Sequence, residues 1–147
     1  MSRDRFPVVA HVLLLRGPAP DRELFLLRRA GTGFMDGYHV PPGGHQRAGE
    51  GVAEAAGREC VEETGAVPRD LVPVCLLAYR SGPRHQGLNV VFAAWETVGA
   101  PGLGEPQTSD AAAWYPCRDL PRPLAPWLDD ALELLDRGDW FRELAWP

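Results

Sequence analysis

Residues 44–66 read GHQRAGEGVAEAAGRECVEETGA, and glycine and glutamate recur in this stretch at spacings that indicate both a fold and a chemistry. One arginine and three glutamates fall within residues 58–63, while alanine, valine and cysteine fill many of the positions around them. The positions that carry the pattern are Gly44, Glu50, Arg58, Glu59, Glu62, Glu63 and Gly65. Because a helix brings residues three and four apart onto one face, this spacing predicts that the acidic side chains lie together.

The segment from Glu50 to Thr64 is predicted to be a helix of about four turns, since it lacks proline and its apolar residues recur at helical spacing. Gly65 stands where a left-handed C-cap belongs, and Pro68 cannot continue the helix. The predicted apolar stripe consists of Val52, Ala53, Ala56 and Cys60. At about 100° per residue, the three glutamates fall beside this stripe.

The clustered glutamates are unfavourable for stability alone. Like charges at these spacings repel by roughly 0.2–0.5 kcal/mol per pair, and anions near the C-terminal end oppose the helix dipole. Gly57 inside the helix costs about 1 kcal/mol more relative to alanine. A divalent cation would remove the repulsion, and carboxylate oxygens suit Mg2+ or Mn2+ better than zinc. The alternative is a solvated acidic face without a ligand.

The seven positions resemble the signature of the Nudix hydrolases, and all of them match it. Cys60 and Ala66 are smaller than the aliphatic residues usual at two further positions. The resemblance implies an α/β fold with a mixed β-sheet sandwiched between α-helices. It also implies Mg2+-dependent (or Mn2+-dependent) hydrolysis of a diphosphate linkage in a nucleoside diphosphate linked to a group X. The products would be a nucleoside monophosphate and either pyrophosphate or phosphorylated X.

The resemblance also implies roles for individual residues. The metal would be bound by Glu59, Glu62, Glu63 and a backbone carbonyl of Gly43 or Gly44. Arg58 would orient a neighbouring carboxylate, above all Glu59, and we expect it to pair with Glu54 one turn earlier. Glu50 would fix the preceding loop and complement the helix dipole. The general base would be a glutamate of this stretch, such as Glu62, or an acid from a distant loop.

Two further segments are candidates for phosphate binding. Pro42-Gly43-Gly44 lets the backbone approach a ligand closely, because glycine lacks an obstructing side chain. Arg28 and Arg29 end a predicted strand, and the resemblance to nucleotide-hydrolysing relatives implies that one of them contacts a phosphate, for which the bidentate guanidinium is suited. A simple charge pair at a strand edge is the alternative. Pro41 and His39 depart from the residues that the family commonly has before its glycine loop.

The distant acid is expected in the loop before the last core strand. Glu105, within Gly104-Glu105-Pro106, is the first candidate, and Glu96 and Asp110 are the alternatives. Four aromatic residues could stack on a nucleobase, although aromatic residues in strands are more often part of a core. These are Phe34, Tyr38, Tyr79 and Trp95.

Hydrophobic patterning predicts strands, a helix, more strands and a second helix, in one domain spanning residues 1–147. The predicted strands are Val8–Arg16, Glu23–Arg29, Leu71–Ser81, Leu88–Thr97 and Ala111–Tyr115, and the second helix is Leu124–Arg137. The tail from Asp139 to Pro147 is too apolar for a free terminus, so we expect it to pack on its own domain or in a homodimer.

The charge, the hydropathy and the cysteine content of the chain argue against several classes of function. The net charge of −5 and the lack of a basic cluster beyond Arg28-Arg29 argue against nucleic-acid binding. No apolar run is long enough to cross a membrane. Three widely spaced cysteines suit a reducing cytoplasm rather than a disulfide framework. The partner that the resemblance implies is a small nucleotide-type substrate.

Two alternatives to hydrolysis stay open. One is a non-catalytic Nudix-like module that senses a nucleotide, although such domains usually lose the glutamates that this chain keeps. The other is an isoprenoid diphosphate isomerase, which has a related fold but needs a catalytic cysteine and a longer chain. The identity of X is not encoded in the signature; the short chain favours small nucleoside triphosphates.

Overall fold

The computed structural model describes residues 2–147, within which there are ten strands and two helices. The strands are β1 (Val8–Arg16), β2 (Glu23–Arg29), β3 (His39–Val40), β4 (Gly43–His45), β5 (Val67–Arg69), β6 (Val72–Ser81), β7 (His85–Ala94), β8 (Glu96–Val98), β9 (Ser109–Pro116) and β10 (Phe141–Trp146). The helices are α1 (Val52–Thr64) and α2 (Leu128–Arg137). No helix within residues 2–147 is long and apolar enough to cross a membrane.

Eight of the strands form one mixed sheet, in the order β10-β6-β7-β1-β2-β3, with β4 added to β1 and β9 added to β2. The β1–β7 and β10–β6 pairs are parallel, whereas the other pairs in this sheet are antiparallel. On one side, β1 pairs with two different strands: its first half pairs with β4, and its end pairs with β2. This division places Pro42-Gly43-Gly44, the glycine loop, directly beside the central strand β1.

Strand β1 is buried on both faces, since alternate residues point to opposite sides of a sheet. Val12 and Leu14 pack with Phe25 and with Ala56 of α1 on one side. On the other side the core includes α2 and the residues Leu13, Leu15, Leu24, Leu26, Leu77, Val91, Leu128 and Leu134. The predicted mixed sheet between helices is therefore confirmed.

Several boundaries differ from the predicted ones. Helix α1 begins at Val52 rather than Glu50, because residues 46–51 form a turn that is closed by side-chain hydrogen bonds. The predicted strand 88–97 is split, since β7 starts at His85 and β8 leaves the main sheet to pair with β5. Helix α2 begins at Leu128 rather than Leu124, because Pro126 disfavours a helical conformation at the residue before it.

The apolar tail forms β10, which pairs in parallel with β6 at the edge of the sheet. Leu144 and Trp146 pack against the α2-side core, so this part of the tail packs on its own chain as expected. Trp140 and Phe141 remain exposed. The homodimer stays a prediction.

Candidate active site

Helix α1 holds its acidic residues at the sheet because its opposite face is anchored in the core. Ala55, Ala56 and Cys60 are fully buried against the sheet. The helix ends at Gly65, whose left-handed conformation (φ +76°) lets its N–H donate to the carbonyl of Val61 at 2.9 Å. Arg58, Glu59 and Glu63, on the other side of the helix, contact residues of β4.

Arg58 forms the centre of a hydrogen-bonded network. Its guanidinium donates to both carboxylate oxygens of Glu50, from Nη2 at 2.7 Å and from Nε at 3.0 Å. Nη1 donates to Glu59 at 2.9 Å and to Glu62 at 3.4 Å. The prediction that Arg58 pairs with Glu54 is wrong: the turn before the helix folds back and supplies Glu50, whereas Glu54 is exposed. The expected contact between Arg58 and Glu59 is present.

Glu50 ties the turn to the helix. Besides the Arg58 contacts, its carboxylate accepts a hydrogen bond from the backbone N–H of Arg47 at 2.8 Å. The Arg58 guanidinium, together with this N–H, holds the pKa of Glu50 down at about 2. The same pairing raises the pKa of Arg58. The loop-fixing geometry expected for Glu50 is therefore present.

Glu63 and Glu59 both lie against the glycine loop. Burial, followed by the charge of Glu59, raises the pKa of Glu63. Glu63 also accepts a hydrogen bond from the N–H of Gly43 at 3.4 Å. A Cβ on Gly44 would lie 2.4 Å from the Glu59 carboxyl group, and a Cβ on Gly43 would lie 2.4 Å from Nδ1 of His11. Gly43 is thus required by the His11 ring and the backbone of Ala10, whereas a side chain at position 44 would displace the Glu59 carboxylate.

Glu105 reaches the same cluster from a distant loop. The N–H of Gly104 donates to the carbonyl of Glu63 at 2.8 Å, which fastens the loop to the end of α1. Partial burial, followed by the charges of Glu62 and Glu59, raises the pKa of Glu105. The two alternatives lie elsewhere. Glu96 is in β8 on the small sheet, and Asp110 accepts a hydrogen bond from Arg28 at 2.7 Å.

A cavity of about 620 Å³ opens beside the cluster, within the size range of small-molecule sites. Gly43, Gly44 and Glu63 form one end of it. Arg29 also lines the cavity, where its guanidinium donates to the carbonyl of Phe34 at 2.8 Å. Arg28 points to the opposite side and pairs with Asp110. The two candidate arginines are therefore separated, and the structure brings Arg29 to the cavity.

The aromatic candidates divide in the same way. Phe34 and Tyr79 line the cavity, whereas Tyr38 and Trp95 do not. Sequence reasoning missed seven further polar or aromatic lining residues, which are His11, His45, Ser81, His85, Asn89, Trp127 and Trp146. A signal for Asn89 was available, since it is the only asparagine of the chain and interrupts an apolar strand. His11 is another polar residue in an apolar strand.

The acidic cluster fits a hard divalent cation by its chemistry. Within residues 2–147 no three histidine, cysteine, aspartate or glutamate side chains are already arranged to hold a metal ion. Arg58 donates to oxygens of Glu59 and Glu62, and burial, followed by the charge of Glu59, raises the pKa of Glu63. Neighbouring carboxylates that are partly removed from water need either a proton or a cation to offset their repulsion. Oxygen donors of this kind select Mg2+ or Mn2+.

Comparisons with known proteins agree with this geometry. The family model of the NUDIX domain matches residues 5–135. An isopentenyl-diphosphate Delta-isomerase of Halorhodospira halophila is 34% identical over 129 residues, covering 85% of this chain and 71% of that protein. The chain therefore belongs to the Nudix family.

Solved structures share the fold. A MutT NUDIX hydrolase from Burkholderia pseudomallei matches with a TM-score of 0.80 and 24% identity, covering 90% of this chain and 99% of that one. The NUDIX domain of NrtR from Shewanella oneidensis, solved in complex with ADP ribose, matches with a TM-score of 0.73 and 21% identity. That match covers 92% of this chain and 88% of the other.

Proposed function

We propose that this protein hydrolyses a diphosphate linkage in a nucleoside diphosphate linked to X, with Mg2+ or Mn2+ as cofactor. The observation that carries the proposal is a cluster of four glutamates in and beside the C-terminal half of α1, one of which, Glu63, lines the cavity together with Gly43 and Gly44. The four are Glu59, Glu62, Glu63 and Glu105. A site of this kind offers oxygen ligands and acid-base groups next to a space for the rest of the substrate.

The acidic residues would share the work of metal binding and proton transfer. Glu59, Glu62, Glu63 and the Gly44 carbonyl would hold the cation. When bound, such a cation neutralises phosphate oxygens and lowers the pKa of a coordinated water. Arg58 would keep Glu59 oriented, and either Glu62 or Glu105 would accept the proton of the attacking water.

The glycine loop and Arg29 would position the diphosphate. Gly43 and Gly44 leave the backbone of β4 accessible from the cavity, since neither carries a side chain. Arg29 would pair with phosphate oxygens, for which its planar guanidinium is suited. Positioning and charge neutralisation supply most of the catalysis in phosphoryl transfer.

Isomerisation of an isopentenyl diphosphate, suggested by the name of the Halorhodospira relative, is less well supported. Such an isomerase needs a catalytic cysteine, and the described lining of the cavity contains none. Cys60 and Cys75 are buried in the two cores, and Cys117 packs against the α2-side core. All three are free thiols, which supports a reducing compartment such as the cytoplasm.

The test is turnover of a substrate panel with Mg2+ or Mn2+. The panel contains nucleoside triphosphates, ADP-ribose, a dinucleoside polyphosphate, a nucleotide sugar and isopentenyl diphosphate. Glu62→Gln is compared with Glu54→Gln, which makes the same change on an exposed face of the same helix. We expect Glu62→Gln to lower turnover by several orders of magnitude and Glu54→Gln to leave it within about twofold.

The outcomes separate the candidate functions. Phosphate or monophosphate release from a nucleotide, lost in Glu62→Gln, supports the proposal and identifies X. Conversion of isopentenyl diphosphate without phosphate release would instead establish the isomerase. Nucleotide binding without turnover by the folded protein would favour a sensing module.

A further inference from the structure

The wall of the cavity beyond the acidic cluster carries a paired histidine and asparagine. Strands β1 and β7 run in parallel with Val9 opposite Asn89, and Val9 and His11 lie on the same face of β1. Nε2 of His11 is 3.0 Å from Oδ1 of Asn89. Asn89 is only 5% exposed, and both side chains line the cavity. Burying an amide inside a sheet costs folding free energy unless its polar atoms form hydrogen bonds, so we expect this pair to have a function.

His11 is held from two further sides. Its ring lies 4.2 Å from the ring of Trp127, centroid to centroid. Its Nδ1 edge occupies the space that a side chain at position 43 would need, so Gly43 is compatible with this ring position.

The pairing determines what Asn89 can offer a ligand. Because an amide oxygen can only accept a hydrogen bond, Nε2 of His11 carries the hydrogen and donates to Oδ1 of Asn89. That oxygen is then occupied, and the remaining polar group of the amide is its Nδ2, which is a donor. Arg29, farther along the cavity, is also a donor. Much of the remaining wall is apolar, including Val9, Val40 and Trp127.

On the basis of the proposed function, we propose that Asn89 determines base specificity. Its Nδ2 donates a hydrogen bond to a keto oxygen of the nucleobase, and His11 is the positioning residue that fixes the amide. The preferred substrates are then nucleotides whose base has a keto group where adenine or cytosine has an amino group. An amino group at that position would meet a donor with a donor, and both would lose their hydrogen bonds.

Two matched substrate pairs test the inference on the unaltered protein. ITP and ATP differ at position 6 of the purine, and UTP and CTP differ at position 4 of the pyrimidine. We expect kcat/KM to favour the keto member of the pair that fits the cavity by roughly tenfold or more, with most of the difference in KM. Equal kcat/KM within both pairs, or a preference for the amino member, would overturn the inference.

Variants then assign the preference to these two residues. Asn89→Asp replaces the donor with an acceptor, so the keto preference should be lost or reversed. His11→Phe frees the amide to rotate, so the preference should fall toward unity. His39→Phe is the control, because His39 is another buried strand histidine that bonds a backbone carbonyl (that of Pro123) and does not line the cavity.

The deciding quantity is the ratio of kcat/KM for the keto and the amino substrate of a pair. A loss of stability alone does not change this ratio. An unchanged ratio in Asn89→Asp would overturn the role of Asn89, and equal ratios in His11→Phe and His39→Phe would overturn the role of His11. If His11→Phe fails to fold, the ratio measured with Asn89→Asp decides. Absence of turnover of every nucleotide in the panel described above, by the folded protein, would contradict the proposed function itself, a result distinct from turnover without base preference.

Discussion

Two glycines in and near α1 differ in what a side chain would meet. At Gly44 an added Cβ would fall 2.4 Å from the carboxyl carbon of Glu59, well inside van der Waals contact. At Gly57, on the helix itself, an added Cβ has no heavy atom within 4 Å apart from the helix's own backbone and its chain neighbours. The first glycine is required by the geometry of the cluster, whereas the second only weakens the helix.

Substitution of Gly44 and of Gly57 gives a prediction together with its own control. Gly44→Ala should displace Glu59 and lower turnover by about a hundredfold or more, because small misplacements at a reacting centre are costly. Gly57→Ala should leave turnover unchanged and raise the free energy of unfolding by about 0.5–1 kcal/mol. Steady-state kinetics and urea unfolding measure the two effects. Normal turnover in Gly44→Ala would contradict the placement of Glu59.

The Glu50–Arg58 pair predicts a pH-dependent stability. The folded-state pKa of Glu50, about 2, lies below its ordinary value of 4.5. Its contribution is therefore fully present above pH 4.5 and is lost as the pH falls through about 2. Glu50→Gln should lower the unfolding free energy near neutral pH, and the difference from wild type should shrink progressively below pH 4.5. A difference that is constant from pH 7 to pH 3 would show that the charge of Glu50 does not stabilise the fold.

At the scale of elements, the loop 99–108 is fastened to the end of α1 rather than lying free. Gly102 and Gly104 donate to the carbonyls of Thr64 and Glu63, each at 2.8 Å. An added Cβ at Gly104 would lie 2.6 Å from the carbonyl oxygen of Glu62, whereas at Gly102 it would meet nothing within 4 Å. This contact brings Glu105 to a cluster formed more than forty residues earlier in the chain.

Gly104→Ala is therefore expected to push the loop away from α1 and carry Glu105 with it. Turnover should fall by at least about tenfold, since a catalytic group is displaced. Gly102→Ala, two residues away in the same loop, should retain wild-type turnover. Comparison of kcat for the two variants checks this. Equal activity of both would remove Glu105 from the catalytic group.

At the scale of the whole molecule, the parts predicted best from the sequence are those that depend on short spacings. Helix α1 and the proximity of its glutamates follow from residues three and four apart. The predicted partner of Arg58 was wrong because helical spacing indicated Glu54, whereas Glu50 reaches Arg58 only because the turn before the helix folds back. The site residues outside α1 were harder to predict because they depend on how distant segments meet.

The cavity shows why such residues escape sequence reasoning. His11 and Asn89 are 78 positions apart and meet only through the register of β1 with β7. Trp127 joins them from the segment before α2. Arg28 and Arg29 looked equivalent in the sequence, and only the pairing of β2 with β9 shows that Arg28 is engaged by Asp110. Polar residues in apolar strands were the one available local signal.

The central claim is that the carboxylates at the end of α1 hold a divalent cation. The most direct measurement is Mn2+ binding to the nucleotide-free protein, followed by electron paramagnetic resonance of the free ion. Wild type and Glu54→Gln should bind Mn2+ with equal affinity, and Glu59→Gln should bind at least about tenfold more weakly. Mn2+ binding by Glu59→Gln that is as tight as that of Glu54→Gln would contradict the account.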